Sequence, residues 1–398
     1  MQESSKQLFL ATMAFAISFA VWGLLGALAP ILKDELRLTQ TQVALMVSIP
    51  VLLGSVGRLV MGVLADRYGG RRVMALLLIA SMIPTAGIAL SDRYAEIVFW
   101  GFLLGLAGSS FSVGVAFTSK WFSPEKQGSA LGIFGVGNIG QSVAVFLAPL
   151  LAIGLGSWHV VFWIFGAISL AWGVVFWFAA RDAGPSTRRS LAEMLEVLGR
   201  APKAWLFSLF YFVSFGGFVA MAVYLPTLLT SRYGLTLAEA GFRTAGFVTL
   251  ATVARPIGGW LSDRFGGARI LASAFLLAVG SALLLVPESF QTFTVGALSL
   301  AALMGLANGA VFKLVPEYFP QDTGTVTGLV GAFGGLGGFF PPLVLGILLD
   351  VTGSFAFGFL ALALYLFACG LLALYLLLTT PAAAAVFRSA TGPRDEEP

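Results

Sequence analysis

The stretch VLLGSVGRLVMGVLADRYGGRR (51–72) decides the fold, because a second copy stands later in the chain as LATVARPIGGWLSDRFGGAR (250–269). Each copy carries an arginine inside an apolar run, Arg58 and Arg255, eight residues before an Asp-Arg pair. The two arginines are 197 residues apart (255 − 58), close to half of the 398-residue chain. This spacing indicates a duplicated protein with one buried cation in each half. A buried charge in a membrane span marks a candidate functional site.

The composition is that of a membrane protein. The chain is 58% hydrophobic and 11% charged, whereas a soluble domain averages roughly 25% charged residues. About twenty apolar residues suffice for a helical span, and the long continuous runs favour helices over barrel strands. We predict an all-α membrane protein with twelve transmembrane helices near 8–32, 42–65, 73–91, 94–121, 128–153, 157–181, 204–230, 237–262, 269–287, 291–315, 324–349 and 355–379.

Two further repeats extend the duplication. KWFSPEKQGSALGIFGVGNIGQ (120–141) resembles EYFPQDTGTVTGLVGAFGGLGG (317–338), and GLAGSSF (105–111) resembles GLANGAV (305–311). Three matches in one order predict two pseudo-symmetric six-helix halves, and such transporters carry substrate at the repeat interface. The predicted units are an N-terminal half (1–181), a cytoplasmic linker (182–203), a C-terminal half (204–379) and a cytoplasmic tail (380–398).

The basic residues predict the orientation. With the N-terminus inside, 16 of the 23 Lys and Arg residues fall on cytoplasmic segments and five on external ones. The positive-inside rule then places both termini in the cytoplasm. The net charge of +4 therefore reflects topology, and we expect no nucleic-acid partner.

The loop after the second span, Gly-x-x-x-Asp-Arg-x-Gly-x-Arg-Arg, resembles the signature loop of the major facilitator superfamily. It recurs after the eighth span, with Ala268 where the first copy has Arg71. The buried arginines and the Gly-rich fifth and eleventh spans are similar to those of the nitrate/nitrite porter family within that superfamily. The resemblance implies transport of nitrate or nitrite, with the arginines contacting the anion.

Residues predicted to lie at similar depths in the membrane form a candidate binding site. At about 1.5 Å per residue, Arg58 and Arg255 each lie roughly 12 Å inside the aspartate of the following loop. Tyr211 is predicted at the same depth, and Phe111, Asn138 and Phe215 a few ångströms deeper. Arginine offers planar donors and keeps its charge when dehydrated. Tyr211 and Asn138 would add hydrogen bonds, and the phenylalanines would form the walls of the site. Without the family resemblance, ordinary packing is the favoured role of any one Phe, and Asn138 is equally suited to helix-helix packing.

A second set of residues is predicted to act in the conformational change. The resemblance implies that ion pairs of the two loops favour the outward-facing state and break when the cytoplasmic side opens. Glycines of the fifth and eleventh spans allow close approach, whether for rocking or for static packing. We expect bulky substitution at Gly135 or Gly335 to be harmful. The full set is Asp66, Arg67, Arg72, Asp263, Arg264, Arg269, Gly132, Gly135, Gly137, Gly331, Gly334 and Gly335.

The coupling ion is less constrained by the sequence. None of the 19 acidic residues is predicted at mid-membrane, where proton-driven transporters commonly carry one. This favours exchange of nitrate for nitrite over proton symport. Lys313, near the cytoplasmic end of the tenth span, is a candidate for proton coupling or anion attraction. Its terminal position favours the alternative, a lysine that snorkels to the interface.

The same residues are compatible with other functions. A transporter of cyanate, formate or a short carboxylate would use the same two arginines, and a membrane sensor would bind the anion without moving it. An enzyme is disfavoured, because no nucleophile-base pair, metal spacing or phosphate loop stands out and the chain has one Cys and one His. We therefore expect no cofactor and no metal. The predicted partners are nitrate, nitrite and the lipid bilayer of a prokaryotic cell membrane, with the protein a monomer.

Overall fold

The computed structural model describes residues 2–122, 130–131, 133–183, 192, 196, 202–319 and 323–379. The side chains of Gln2, Asp66, Pro316 and 323–325 lie outside that description. The helices of the first half are α1 (Gln2–Glu35), α2 (Gln40–Tyr68), α3 (Gly70–Ala80), α4 (Met82–Ala89), α5 (Tyr94–Leu104), α6 (Ser110–Ser119), α7 (Ile139–Leu155) and α8 (Trp158–Ala179), with 3-10 turns at Gly105–Ser109 and Val136–Asn138. Those of the second half are α9 (Pro202–Tyr233), α10 (Leu237–Phe265), α11 (Gly267–Leu283), α12 (Phe290–Tyr318), α13 (Thr323–Leu336), α14 (Phe340–Thr352) and α15 (Ala356–Leu378).

The all-helical architecture is confirmed. Within the described residues, ten helical segments are long and apolar enough to cross a membrane. The remaining two predicted spans are also helical: α10 has 29 residues and carries several charges, and α11 has 17 apolar-rich residues. Length and composition thus support ten crossings directly, and the other two segments continue the same bundle.

The duplication is visible in the ends of α2 and α10. Both helices have 29 residues, and each begins with a threonine capping box, at Thr39 and at Thr236. Each is followed by a glycine with positive φ, Gly69 at 91° and Gly266 at 89°. Both pairs are 197 residues apart, which is the separation of the two arginines. Glycine is required at this turn because an L side chain rarely adopts such a φ.

Small residues bring the helices of the two halves close together. Gly26 of α1 faces the backbone of Val223 in α9, where a Cβ would come within 2.8 Å of the carbonyl oxygen. Gly346 of α14 faces Gln40 at the start of α2, with a corresponding approach of 2.8 Å. Close backbone approach is the usual basis of helix association in a membrane, where lipid offers no hydrophobic driving force between helices.

The end of the bundle that carries Gly69 and Gly266 is named the loop end here, and the opposite end the far end. At the far end, Asp350 of α14 accepts a hydrogen bond from the backbone N–H of Thr41 at 2.8 Å and another from its hydroxyl. Ser231 of α9 accepts from Lys33 Nζ at 3.1 Å and from Gln40 Nε2 at 3.3 Å. These five residues, the far-end latch, hold the two halves together at that end.

The predicted linker and tail lie almost entirely outside the described residues. Asp182, the first residue of the linker, is described, and its Oδ1 accepts a hydrogen bond from the backbone N–H of Arg71 at 2.9 Å. The start of the linker is therefore bound to the repeated loop after α2.

Candidate functional site

Arg58 lies inside the bundle on α2 and is only 4% exposed. Its Nη1 donates to the backbone carbonyl of Gly331 in α13 at 2.7 Å, and its Nε donates to the carbonyl of Gly108 at 3.4 Å. A guanidinium has five N–H donors, so these two bonds leave donors for a ligand. The Arg58 side chain therefore links the two halves by hydrogen bonds to one main-chain carbonyl in each half.

Arg255 occupies the corresponding place on α10 and is partly exposed. Its Nη2 donates to the hydroxyl of Tyr211 at 3.1 Å. Its Cζ lies 5.1 Å from the ring centroid of Phe312 and 5.9 Å from that of Tyr211. Aromatic faces attract a cation without neutralising it, so the site keeps its positive charge.

The two arginines converge on one ring. The Cζ atom of each lies 5.8 Å from the centroid of Phe111, so the two guanidinium centres are at most twice this distance apart. Phe215 completes the wall, with its centroid 5.1 Å from the Cζ of Arg58 and its ring stacked on Tyr211 at 4.9 Å. Five of the six residues of the predicted binding set are therefore assembled, and their role in binding an anion stays a prediction.

Charge is not balanced within this assembly. Across the part of the chain that the structure describes, neither arginine forms an ion pair with a carboxylate, and their bonds go to carbonyls and a hydroxyl. An arginine in the middle of a bilayer costs about 2.5–3.5 kcal/mol or more, and like charges at short range add to that cost. A bound anion would offset both terms.

Asn138, the sixth member, lies at the end of the 3-10 turn before α7 and is buried. Its Oδ1 has no hydrogen-bond partner among the described residues. One turn earlier, the ring of Phe134 stacks on Phe15 at 4.8 Å and lies 6.0 Å from that of Phe111. Asn138 is thus near the aromatic wall, and its side chain makes no hydrogen bond to either arginine in the described structure.

The glycines of the eleventh predicted span lie against the arginine site. A Cβ at Gly334 would overlap the Tyr211 ring, and one at Gly335 would overlap the Ser55 hydroxyl and come within 3.1 Å of Arg58 Nη1. Gly331 supplies the carbonyl that Arg58 binds. Gly334 and Gly335 therefore leave no room for a side chain beside the cation, whereas a Cβ at Gly331 would meet no atom within 4 Å.

The glycines of the fifth span behave less uniformly. A Cβ at Gly137 would overlap the Phe15 ring, whereas one at Gly135 would meet no atom within 4 Å. The expected harm from bulk at Gly135 therefore has no steric basis in this conformation. Gly132 lies outside the described residues.

In the second repeated loop, the aspartate pairs with a lysine of another helix and not with an arginine of its own loop. Asp263 Oδ1 lies 2.6 Å from Lys313 Nζ of α12. Arg264 contacts the adjacent ring of Phe265, as Arg67 contacts Tyr68 in the first loop. Arg72 and Arg269 are exposed, and the side chain of Asp66 is not described. Close packing of α12 on α10 explains the pair, because Gly309 faces the backbone of Arg255 and Gly259.

Sequence reasoning missed Phe312, Gly108 and Ser55 as neighbours of the arginines. A signal existed for Gly108, because the short repeat GLAGSSF/GLANGAV (105–111 and 305–311) contains it. Phe312 stands one residue beyond that repeat. The contact of Ser55 with Gly335 depends on how α2 and α13 are rotated, which periodicity alone does not show.

Comparison with known proteins identifies the family. The family model of the Major Facilitator Superfamily matches residues 10–312 and 207–396. The chain belongs to this superfamily. Its similarity to solved structures agrees: a bacterial homologue of the human lysosomal transporter Spinster, in an inward-facing and occupied conformation, has a TM-score of 0.77 and 17% identity over 96% of this chain and 98% of that one.

Curated relatives narrow the superfamily to the nitrate/nitrite porters. The chain is 37% identical to the probable nitrate/nitrite antiporter NarK1 of Thermus thermophilus over 85% of this chain and 84% of that protein. It is 38% identical to the probable nitrate/nitrite transporter NarK2 of Mycobacterium tuberculosis, over 94% and 97%. It is 36% identical to the nitrite extrusion protein of Bacillus subtilis, over 90% of each chain. This major facilitator protein is therefore a multi-pass membrane transporter of the nitrate/nitrite porter family and not an enzyme.

Proposed function

We propose that this protein moves nitrate and nitrite across the membrane by alternating access, with the anion held between Arg58 and Arg255. The observation that carries the proposal is the convergence of both guanidinium groups on Phe111, 5.8 Å from each Cζ. Among the described residues, both groups donate hydrogen bonds only to neutral acceptors. The similarity to proteins named as nitrate/nitrite transporters and as a nitrite extrusion protein supports the substrate class.

The chemistry of the site suits a small planar oxyanion. A guanidinium donates two parallel N–H bonds in one plane, which matches two oxygens of nitrate or the two of nitrite. The Tyr211 hydroxyl accepts a hydrogen bond from Arg255 and would donate its own proton to an oxygen of the anion. Phe111 and Phe215 limit water around the anion, and a drier site strengthens each electrostatic contact. Asn138, in the 3-10 turn before α7, would have to move toward the arginines to add its amide to the anion contacts.

Exchange of nitrate for nitrite is the mode that the charges favour. Both anions are monovalent, so a one-for-one exchange moves no net charge across the membrane and needs no coupled ion. Lys313, the candidate for proton coupling, lies in an ion pair with Asp263. Its side chain is 41% exposed, which fits a lysine at the membrane interface.

The topology that we propose has twelve transmembrane helices, both termini in the cytoplasm and the loop end facing the cytoplasm. The protein would reside as a monomer in the plasma membrane. In this orientation the far-end latch closes the external side through Asp350 and Thr41. The conformation described here would then exchange anions with the cytoplasm.

Uptake into proteoliposomes tests the proposal. Vesicles containing the purified protein and loaded with nitrite are expected to accumulate labelled nitrate without an imposed proton gradient. Unlabelled nitrite should compete, and formate or oxalate should not. Uptake that requires a proton gradient would replace exchange by symport. Binding of nitrate without movement in any gradient would contradict transport.

A further inference from the structure

Gln141 of α7 is a polar side chain that the arginine site does not use. It is 1% exposed, and both its Nε2 and its Oε1 are buried without a hydrogen-bond partner among the described residues. Buried amide groups in native proteins are almost always hydrogen-bonded, and one left unpaired is destabilising. Such a side chain points to a ligand or to another conformational state that completes it.

The direction of Gln141 follows from its neighbours on the helix. Gly137 and Gly140 face α1, where a Cβ would overlap Phe15 and Ala16 respectively. Ser142 faces α10, where its hydroxyl accepts from Thr249 at 3.1 Å. At 3.6 residues per turn, Gln141 lies between these two faces. Its Cγ lies against α1, 3.2 Å from the Cβ position of Gly23, and its amide is therefore directed along the seam where α1 and α7 meet the second half.

Gln141 lies closer to the far end of the bundle than the two arginines do. It follows Asn138 by three residues and Phe134 by seven, so all three lie on one face of the chain. At about 1.5 Å per residue, Gln141 is roughly 10 Å closer to the far end than Phe134. The Phe134 ring is 6.0 Å from that of Phe111 at the arginine site. An anion that enters from the far end must pass this level before it reaches the arginines.

In the present conformation that route is closed. The two halves meet in a tight contact between Gln141 and the far end. A Cβ at Gly26 would come 2.8 Å from the carbonyl oxygen of Val223, and a Cβ at Gly241 would come 2.6 Å from that of Val145. The far-end latch lies beyond this contact. Opening of the far end would separate the halves along the seam that Gln141 faces and give its amide access to water and solutes.

We propose that Gln141, with Asn138, forms a second subsite for a monovalent oxyanion, occupied when the far end is open. This inference rests on the proposed function. The Nε2 amide donates to an anion oxygen, and Oε1 accepts from a water that accompanies the anion. A neutral donor holds a weakly basic anion without trapping it as a third cation would. When the far end closes, the amide loses these partners, and the anion is favoured at the arginines.

The test measures half-saturation for nitrate from each side of the membrane. Right-side-out vesicles present the far end to the medium in the proposed topology, and inside-out vesicles present the loop end. We expect Gln141→Met to raise the far-end half-saturation constant about tenfold and to change the loop-end constant less than about twofold. Thermal stability should not fall, because methionine has a similar length and removes two unpaired polar groups.

Ser142→Ala provides the matched control on the same helix. It removes a hydroxyl that is already paired with Thr249, so it should leave both half-saturation constants unchanged. Equal shifts from the two sides, or none, in Gln141→Met would overturn the second subsite. If that variant does not fold, Gln141→Glu replaces it, since a carboxylate there should repel the anion; a wild-type far-end constant would again overturn the inference. Absence of uptake by the wild type would instead contradict the proposed function itself.

Discussion

Arg58 of the first half donates a hydrogen bond from Nη1 to the backbone carbonyl of Gly331 in the second half, over 2.7 Å. A hydrogen bond with a charged donor is roughly twice as strong as a neutral one. The same guanidinium is the predicted ligand of the anion. Movement of α13 against α2 must therefore break or exchange this hydrogen bond. Anion binding to Arg58 is thereby linked to the relative position of the two halves.

Replacement of either arginine by lysine should impair transport while preserving the fold. Lysine retains the charge but loses the planar donors, and a lost bond to a charged group is worth about 1.5–3 kcal/mol. We expect nitrate uptake by Arg58→Lys and Arg255→Lys to fall at least roughly tenfold, by the conversion of 1.4 kcal/mol per decade. The elution volume and melting temperature serve as folding controls. Undiminished uptake by either variant would sink the claim that both arginines bind the anion.

Alanine at Gly335 and alanine at Gly135 should have unequal effects. The added methyl at Gly335 would overlap Ser55 and crowd Arg58, whereas at Gly135 it meets no atom within 4 Å. Overpacking typically costs about 1–3 kcal/mol, so Gly335→Ala should lower both melting temperature and uptake, while Gly135→Ala retains both. Equal losses in the two variants would show that Gly135 is crowded in another conformation.

Loss of the charge on Asp350 should loosen the far end. Its carboxylate accepts two bonds from Thr41 at the N-terminus of α2, where the helix dipole also favours an anion. The site is exposed, so we expect Asp350→Asn to weaken closure by less than about 1.4 kcal/mol. A cysteine in place of Val223, which packs on Gly26, should then react about two- to tenfold faster with an impermeant thiol reagent.

Two features make that labelling experiment interpretable. The native Cys369 is buried and is replaced by alanine in every background. Asp34→Asn removes an exposed acid near the same end and should leave the labelling rate unchanged. An unaltered rate in Asp350→Asn would mean that the latch does not hold the far end closed.

Neutralisation of Lys313 tests whether this lysine only forms an ion pair with Asp263 or also carries a proton during transport. Lys313 and Asp263 are 41% and 61% exposed, and exposed pairs typically contribute about 0.2–1 kcal/mol. We therefore expect Lys313→Gln to keep nitrate/nitrite exchange within about twofold and to change the free energy of unfolding by less than about 1 kcal/mol. Loss of exchange in a correctly folded variant would assign Lys313 a role in transport.

Several parts of the fold were predictable because they depend on local chemistry. The 197-residue repeat predicted that α2 and α10 would match, and both start at a threonine cap and end at a positive-φ glycine. Apolar length predicted the helices themselves. The partner of Asp263 was not predictable, because Lys313 is 50 positions away in the chain and reaches it only through the packing of α12 on α10.

The same distinction divides the candidate site. Two arginines in apolar spans without acids nearby in sequence indicated an anion site, and helical rise placed Tyr211 at their level. The hydrogen bond from Arg255 to the Tyr211 hydroxyl agrees with that placement. Helix rotation was unknown, so the convergence on Phe111 and the contact with Phe312 were not determined. Gln141 ends the repeated segment 120–141, but nothing in the sequence marked it as functional. The sequence does not show whether a polar residue in an apolar span has a hydrogen-bond partner.

The sequence by itself determined the class of protein, its duplication and the two arginines inside its apolar spans, because hydropathy, periodicity and spacing can be recognised along the chain. The structure buries Arg58 and leaves Arg255 partly exposed. Only the tertiary structure decided which groups surround those cations, which end holds the halves together and which amides remain unpaired. Those features depend on the relative rotation and separation of helices, which are set by contacts between residues far apart in the chain.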